Sequence, residues 1–192
     1  MIEIIIGFAI GTIIVVVDRM WQRRHLRGMR RHPAPTFVFA DLAGYTALTE
    51  EFGDEAAAAV ARRFRREMQA LSRRHGALQV KSMGDGVMIW ASDAAKAIAL
   101  AANAVEEVGV RSDLLPVRIG VHTGSAVMHG LDWYGSAVNV AARLADEARP
   151  NEALVSGAAR SAACGELTTS LGTRRELSLR GVERPVVAWA LI

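Results

Sequence analysis

Phe39-Ala40-Asp41-Leu42-Ala43-Gly44-Tyr45-Thr46 is the stretch that decides how this chain reads. With Phe37 and Val38 before it, Phe39 completes an apolar run that predicts a buried strand. The run ends at Asp41, a turn at Gly44 follows, and Thr46 stands where a helix can start. A second stretch, Lys81-Ser82-Met83-Gly84-Asp85-Gly86, lies between two more strand-like runs, Leu78-Gln79-Val80 and Val87-Met88-Ile89-Trp90. Asp85-Gly86 is a strong hairpin-turn signal. Two carboxylates are therefore expected at strand ends. Ionised carboxylates brought close repel, and one is driven to keep its proton. A divalent cation removes that conflict, so two such Asp residues near phosphate-cradling backbone N–H groups would make a Mg²⁺-nucleotide site. Each Asp alone has a plainer reading: Asp-Gly is common in hairpins without chemistry, and Asp before a helix is often only a cap.

The 192 residues suffice for one domain and a short appendage, and a 51% hydrophobic fraction fills a core. The net charge of +3 is unevenly placed. Residues 1–32 carry six Arg against Glu3 and Asp18, a net +4, which leaves the remainder at −1. The globular part thus lacks the charge that a nucleic-acid surface requires, and no nucleic-acid partner is expected. Arg62, Arg63, Arg65 and Arg66 cluster, but Glu50, Glu51 and Glu67 nearby make a solvated helix face the better reading. Cys164 is the only cysteine, which excludes an intrachain disulfide and a Cys-based metal site.

Residues 4–17 are free of charge. As a helix they would span roughly 21 Å at ~1.5 Å per residue, short of the ~30 Å hydrocarbon core. Met1 to Glu3 and the stretch to Trp21 close the gap. A signal peptide would place positive charge before the apolar run, whereas here Glu3 precedes it and Arg19, Arg23, Arg24, Arg27, Arg30 and Arg31 follow. The expectation is a single-pass membrane anchor over residues 1–18, with a β-branched buried strand as the remaining alternative. A basic juxtamembrane linker follows over 19–35, and by the positive-inside rule the domain from residue 36 lies in the cytoplasm. Gly7-Phe8-Ala9-Ile10-Gly11 is a GxxxG pattern, which permits close helix pairing. Pro33-Ala34-Pro35 marks the domain boundary.

In the globular part a strand is expected over 36–40, then a helix from 46 to about 75 with Leu48, Phe52, Ala56, Val60, Phe64, Met68 and Leu71 at helical spacing. A hairpin over 78–91, an Ala-rich helix over 93–108 and a strand-like segment over 116–127 follow. A turn region over 129–135 leads into a helix ending near 148. The tail adds a strand at 153–155, a small helix near 157–163, and strands around 177–179 and 186–192. The order is βαββαβ with further α and β, an α+β pattern with a mixed or antiparallel sheet and helices on one side.

A third stretch runs Asp132-Trp133-Tyr134-Gly135-Ser136-Ala137-Val138-Asn139-Val140-Ala141-Ala142-Arg143-Leu144. Asn139 and Arg143, four apart, share a helix face. That pair suits phosphoryl transfer, the Asn orienting a sugar and the Arg meeting developing phosphate charge. An Arg143 paired with Asp146 or Glu147 is an equally good reading of the spacing. The three stretches, with Gly120-Val121-His122-Thr123-Gly124 between the second and third, occur in an order and spacing that resembles the class III nucleotidyl cyclase catalytic domain over residues 36–192.

The resemblance implies a ferredoxin-like, palm-like βαββαβ core, preceded here by the N-terminal hydrophobic helix. It implies that Asp41, Asp85 and the backbone carbonyl of Leu42 hold two Mg²⁺ or Mn²⁺ ions. Gly44, Tyr45 and Thr46 would contact substrate, Lys81 and Asp132 would read the adenine ring, and Asn139 and Arg143 would position the ribose and stabilise the transition state. Guanylyl cyclases resemble the family with Glu and Cys in place of the Lys and Asp, so ATP is the implied substrate and cyclic AMP the product. A head-to-tail homodimer with shared sites is implied as well. One departure is the absence of Lys from Arg180-Gly181-Val182-Glu183-Arg184-Pro185, where animal-type membrane cyclases carry a phosphate-contacting Lys; Arg180 and Arg184 are the candidates to replace it. The competing reading is a non-catalytic nucleotide-binding or partner-regulating module.

Overall fold

The structure, a computed structural model, describes residues 34–130, 132–163, 167 and 169–192. The expected anchor over 1–18 and nearly all of the linker over 19–35 lie outside the described residues. Among the described residues no helix is long and apolar enough to cross a membrane.

Strand β1 (Thr36–Leu42) alternates two apolar sets. Val38, Ala40 and Leu42 face one way, and Phe37 and Phe39 face the other. A strand apolar on both faces must be covered on both, and this one sits inside a seven-stranded sheet of order β2-β3-β1-β4-β7-β9-β8. Its neighbours β3 (Gly86–Ala91) and β4 (Val117–Thr123) pair with it antiparallel, and β2 (Leu78–Met83) pairs antiparallel with β3. The sheet is mixed because β4 pairs in parallel with β7 (Glu152–Ser156). Strands β8 (Leu171–Leu177) and β9 (Val186–Leu191) complete the far edge. The β2-β3-β1-β4 half, with its two crossover helices, is the expected ferredoxin-like βαββαβ unit.

Helix α1 (Tyr45–Arg74) follows the first strand as expected, but it is broken at Gly53, whose φ of 83° is not helical. The break re-phases the apolar stripe. Ala57, Ala61, Phe64, Met68 and Leu71 are buried, whereas Phe52, expected on that stripe, is 61% exposed. Helix α2 (Ala94–Asn103) starts where Asp93 accepts the N–H groups of Ala95 and Lys96, at 2.9 and 3.2 Å, and runs on as a π-turn over Ala104–Gly109. These helices pack on the Val38 face with α4 (Gly157–Ala162).

Helix α3 (Ser136–Glu147) covers the opposite face, with Ala137, Val138, Ala141 and Ala145 on Phe37, Phe39 and Met88. Its Val140 and Leu144 pack on Leu154 and Ala188. Helices therefore lie on both sides of the sheet, not one, because β1 has no polar face to leave in water. Two further expectations are corrected. The turn region over 129–135 contains a strand, β6 (Asp132–Tyr134), paired antiparallel with β5 (Val127–His129) in a separate hairpin. The strand placed around 177–179 lies earlier, over β8, which gains its partners from β9 rather than from its own polar pattern.

Gly120 sets how closely α3 approaches. A Cβ there would stand 2.2 Å from the Ala141 carbonyl oxygen and 2.4 Å from the Ala145 nitrogen, both backbone atoms that cannot swing aside. Gly120→Val is expected to destabilise the domain by about 1–3 kcal/mol through overpacking. Urea unfolding checks it, and a midpoint equal to wild type would show that α3 is not seated on this strand.

His122 on β4 shares a hydrogen bond with the Ser156 hydroxyl, 2.8 Å away, and that hydroxyl also accepts the Ala159 N–H to cap α4. Burial lowers the His122 pKa from 6.5 to about 4. The folded state therefore binds this proton less readily than the unfolded chain, and stability from the neutral ring is complete above pH 6.5 and falls as pH drops towards 4. Between pH 7 and pH 5 wild type is expected to lose about 2 kcal/mol more than His122→Gln. Parallel unfolding curves at the two pH values measure the difference, and equal losses would mean the ring is charged when folded.

Candidate active site

Alternation along β1 turns Asp41 to the α3 face, at the strand end, where its cross-strand neighbour is Arg118 on β4. The guanidinium binds both oxygens, Nε to Oδ1 at 3.1 Å and Nη2 to Oδ2 at 2.9 Å. Burial nevertheless pushes the Asp41 carboxyl above its usual range, against the pull of Arg118 and with further upward pressure from the carboxylates of Asp85 and Asp146.

The β2–β3 hairpin brings Asp85 to Asp41. Met83 pairs with Gly86, so the loop is Gly84-Asp85. A Cβ at Gly86 would stand 3.4 Å from the Ala40 carbonyl oxygen and 3.6 Å from the Asp41 Cβ, so the hairpin lies directly against the end of β1. Asp41 and Asp85 then line one cavity of about 190 Å³ with Phe39, Met83, Arg143 and Asp146. Arg143 lines the cavity, and its Nη1 meets Asp146 Oδ2 at 2.8 Å in a half-exposed pair, the Asp146 partner that the spacing allowed. Asn139 is exposed one turn earlier on α3 and does not line the cavity.

Lys81 and Asp132 meet elsewhere on the chain. Nζ lies 2.7 Å from Oδ2, and the Trp133 N–H donates to Oδ1 at 2.8 Å. The Lys81 hydrogen bond, joined by that N–H, holds the Asp132 carboxyl below its usual range. A register shift between Gln79 and Lys81 marks a bulge in β2 just before the lysine. Such bulges re-aim the next side chain.

Gly44, at φ 85°, opens α1. Thr46 is exposed, while the Tyr45 ring packs on the core. Contact of these residues with a phosphate would fall to backbone N–H groups of the first helical turn, which have no intrahelical partner. The Leu42 side chain is buried in the core on the Val38 face.

Sequence reasoning missed Arg118 as the partner of Asp41, although an arginine between Val117 and Ile119 of a buried strand is a signal that something must neutralise it. It also left Asp146 out of the site. Among the described residues no three His, Cys, Asp or Glu side chains converge to hold a metal by themselves. Two carboxylates at one cavity are nonetheless the donor set that suits Mg²⁺, which takes one or two carboxylates and completes its shell with water and substrate phosphate.

The adenylate and guanylate cyclase catalytic domain family matches residues 28–192. The chain is 36% identical over 155 residues to a pH-sensitive adenylate cyclase of Mycobacterium tuberculosis, covering 76% of this chain and 38% of that one. It is 32% identical over 124 residues to an adenylate cyclase of Streptomyces griseus, covering 65% of this chain and 31% of that one. The chain thus spans between 31% and 38% of the length of these relatives. The adenylyl cyclase CyaB from P. aeruginosa superposes with a TM-score of 0.70 at 22% identity, over 82% of this chain and 93% of that one, a likeness of fold. By the extent of the family match, the chain belongs to the adenylate and guanylate cyclase catalytic domain family.

Proposed function

We propose that this chain is an adenylyl cyclase that converts ATP to 3′,5′-cyclic AMP and pyrophosphate. The observation that carries the reading is the meeting of Asp41 and Asp85, the two carboxylates that would hold the cations, around one cavity. Attack of the ribose 3′-oxygen forms a bond to the α-phosphorus while the bond to the pyrophosphate oxygen breaks. Asp41 and Asp85, with the Leu42 carbonyl, would hold the two divalent cations that class III cyclases use. When bound, that charge favours the 3′-alkoxide and offsets the triphosphate.

Arg143 would meet the charge that develops on the transferring phosphate. It must leave Asp146 to do so, and a half-exposed ion pair, worth about 0–1 kcal/mol, opposes that little. Asn139, on the same helix face, would hold the ribose. Lys81 would donate to adenine N1 and Asp132 would accept from the N6 amine. Guanine presents an N–H and a carbonyl oxygen at those two places, which sets donor against donor and acceptor against acceptor, so the pair favours ATP.

The homodimer is part of the same proposal. Leu78 and Met83 on β2, and Val127, Met128 and Tyr134 on the β5–β6 hairpin, are exposed apolar side chains on the elements that carry Lys81 and Asp132. A second copy docked there would cover them and place its Asp41 and Asp85 opposite this base-reading pair. An apolar anchor over residues 1–18 would hold two cytoplasmic domains at raised effective concentration.

Asp41→Ala and Arg143→Ala are each expected to reduce cyclic AMP formation by about 100-fold or more. Mixed together, they should regain part of the wild-type rate, since each site would take Asp41 from one chain and Arg143 from the other, and one of the two sites in the heterodimer is then intact. Full chains, co-expressed with different tags, provide the measurement. Heterodimers that form and stay inactive would show that the site belongs to one chain; single variants at the wild-type rate would end the cyclase reading.

A further inference from the structure

The β5–β6 hairpin has three residues in each strand and stands apart from the seven-stranded sheet. A two-stranded ribbon that short does not hold its own shape in water. Val127, Met128, His129 and Tyr134 are exposed, Asp132 is partly so, and Trp133 alone of its strand residues is buried, at 7% exposure. Its indole stacks on Trp90 of β3, centroids 5.6 Å apart and planes 19° from parallel, and meets the Phe37 ring of β1 edge-on at 5.6 Å. The hairpin's apolar attachment to the sheet is therefore this one ring, beside the Lys81–Asp132 ion pair to β2.

Two details tie that ring to Asp132. Among the described residues the Trp90 Nε1–H is buried without a hydrogen-bond partner. A buried donor left unmade is destabilising, so the Trp90 indole is oriented by the stack and not by its polar atom. The Asp132 carboxylate is bound at Oδ1 by the Trp133 N–H and at Oδ2 by Lys81, with the Tyr134 side chain as a further hydrogen-bonding neighbour. The residue whose ring anchors the hairpin also donates the backbone bond that sets the carboxylate rotamer.

We infer that Trp133, stacked on Trp90, is a positioning residue that holds Asp132 in register with Lys81, and that the indole pair thereby sets the purine preference of the site. The inference rests on the base-reading role given above to Lys81 and Asp132. Lys81 enters from a strand of the main sheet, after its bulge, and is placed independently. Asp132 sits on a short hairpin whose only buried strand side chain is Trp133, and a rotation of the hairpin that followed loss of that ring would part it from the lysine. Specificity built on a hydrogen-bonding pair is lost steeply with misplacement, because the wrong base then leaves no group unpaired that the right base would have satisfied.

The test is the ratio of kcat/KM for ATP to that for GTP, measured on the full-length chain in detergent for wild type, Asp132→Ala, Trp133→Ala, Trp133→Phe and the Asp132→Ala/Trp133→Ala double variant. Trp133→Ala retains the backbone N–H and removes only the ring. It is expected to reduce the ATP preference roughly tenfold, as Asp132→Ala does, with no further change in the double variant and recovery in Trp133→Phe. If Asp132→Ala changes the ratio and Trp133→Ala lowers both nucleotides equally, the ring is only structural and the inference is overturned while the base-reading role stands. If Asp132→Ala leaves the ratio unchanged, the base-reading role fails and the inference with it. Should Trp133→Ala not unfold cooperatively, Trp90→Leu, which removes the stack and leaves Trp133 in place, decides the matter: a reduced ratio supports the inference, and an unchanged one overturns it.

Discussion

A partly buried carboxylate at the end of a strand that is covered on both faces is the constraint to which the rest of the site answers. Asp41 cannot be moved without moving β1, and β1 is clamped between β3 and β4 and between two helical layers. Its charge is expensive in that position unless paired, and Arg118 supplies part of the pairing from the next strand. Around this point the cavity gathers three carboxylates, of Asp41, Asp85 and Asp146, and the guanidinium of Arg143. Burial is the main reason the Asp41 carboxyl is held above its usual range, with the carboxylates of Asp85 and Asp146 adding to it. Gly120 makes the arrangement possible, since any larger residue would lift α3 and carry Arg143 and Asp146 away from the strand end.

Much of this was legible in the chain of residues because the signals are local. The Phe37-Val38-Phe39 run, the turn at Gly44 and the hairpin over 78–91 each depend on neighbours a few positions apart. The same run also contained the warning that helices cover both faces, since it has no polar alternation, yet reading it required knowing which helix had an apolar face to offer. The break at Gly53 was not readable from spacing: Phe52 continues the stripe in sequence, and only the positive φ turns it to solvent. The β5–β6 hairpin reads as a turn in sequence because three-residue strands with mostly exposed side chains leave no alternation to detect.

The site residues divide in the same way. Asp41, Asp85 and Arg143 are brought together by tertiary packing that the four sequence motifs anticipate through resemblance. Arg118 and Asp146 belong to the same charge cluster and are invisible to motif reading, because their roles follow from strand register and helix phase. Lys81 and Asp132, 51 positions apart, form their 2.7 Å pair through a bulge in one element and an indole anchor in another. Neither device has a sequence pattern of its own, although a tryptophan directly after a site aspartate is the kind of large, buried neighbour that fixes a short ribbon.

Identification of the product is the most direct test of whether these charges make a cyclase. The full-length chain, incubated with Mn²⁺ and either ATP or GTP beside Asp85→Ala as control, should yield cyclic AMP from ATP, far less product from GTP, and none with either nucleotide in the control. Absence of a cyclic nucleotide from a folded, dimeric wild-type chain would contradict the account and leave a cyclase-like module that binds without catalysing.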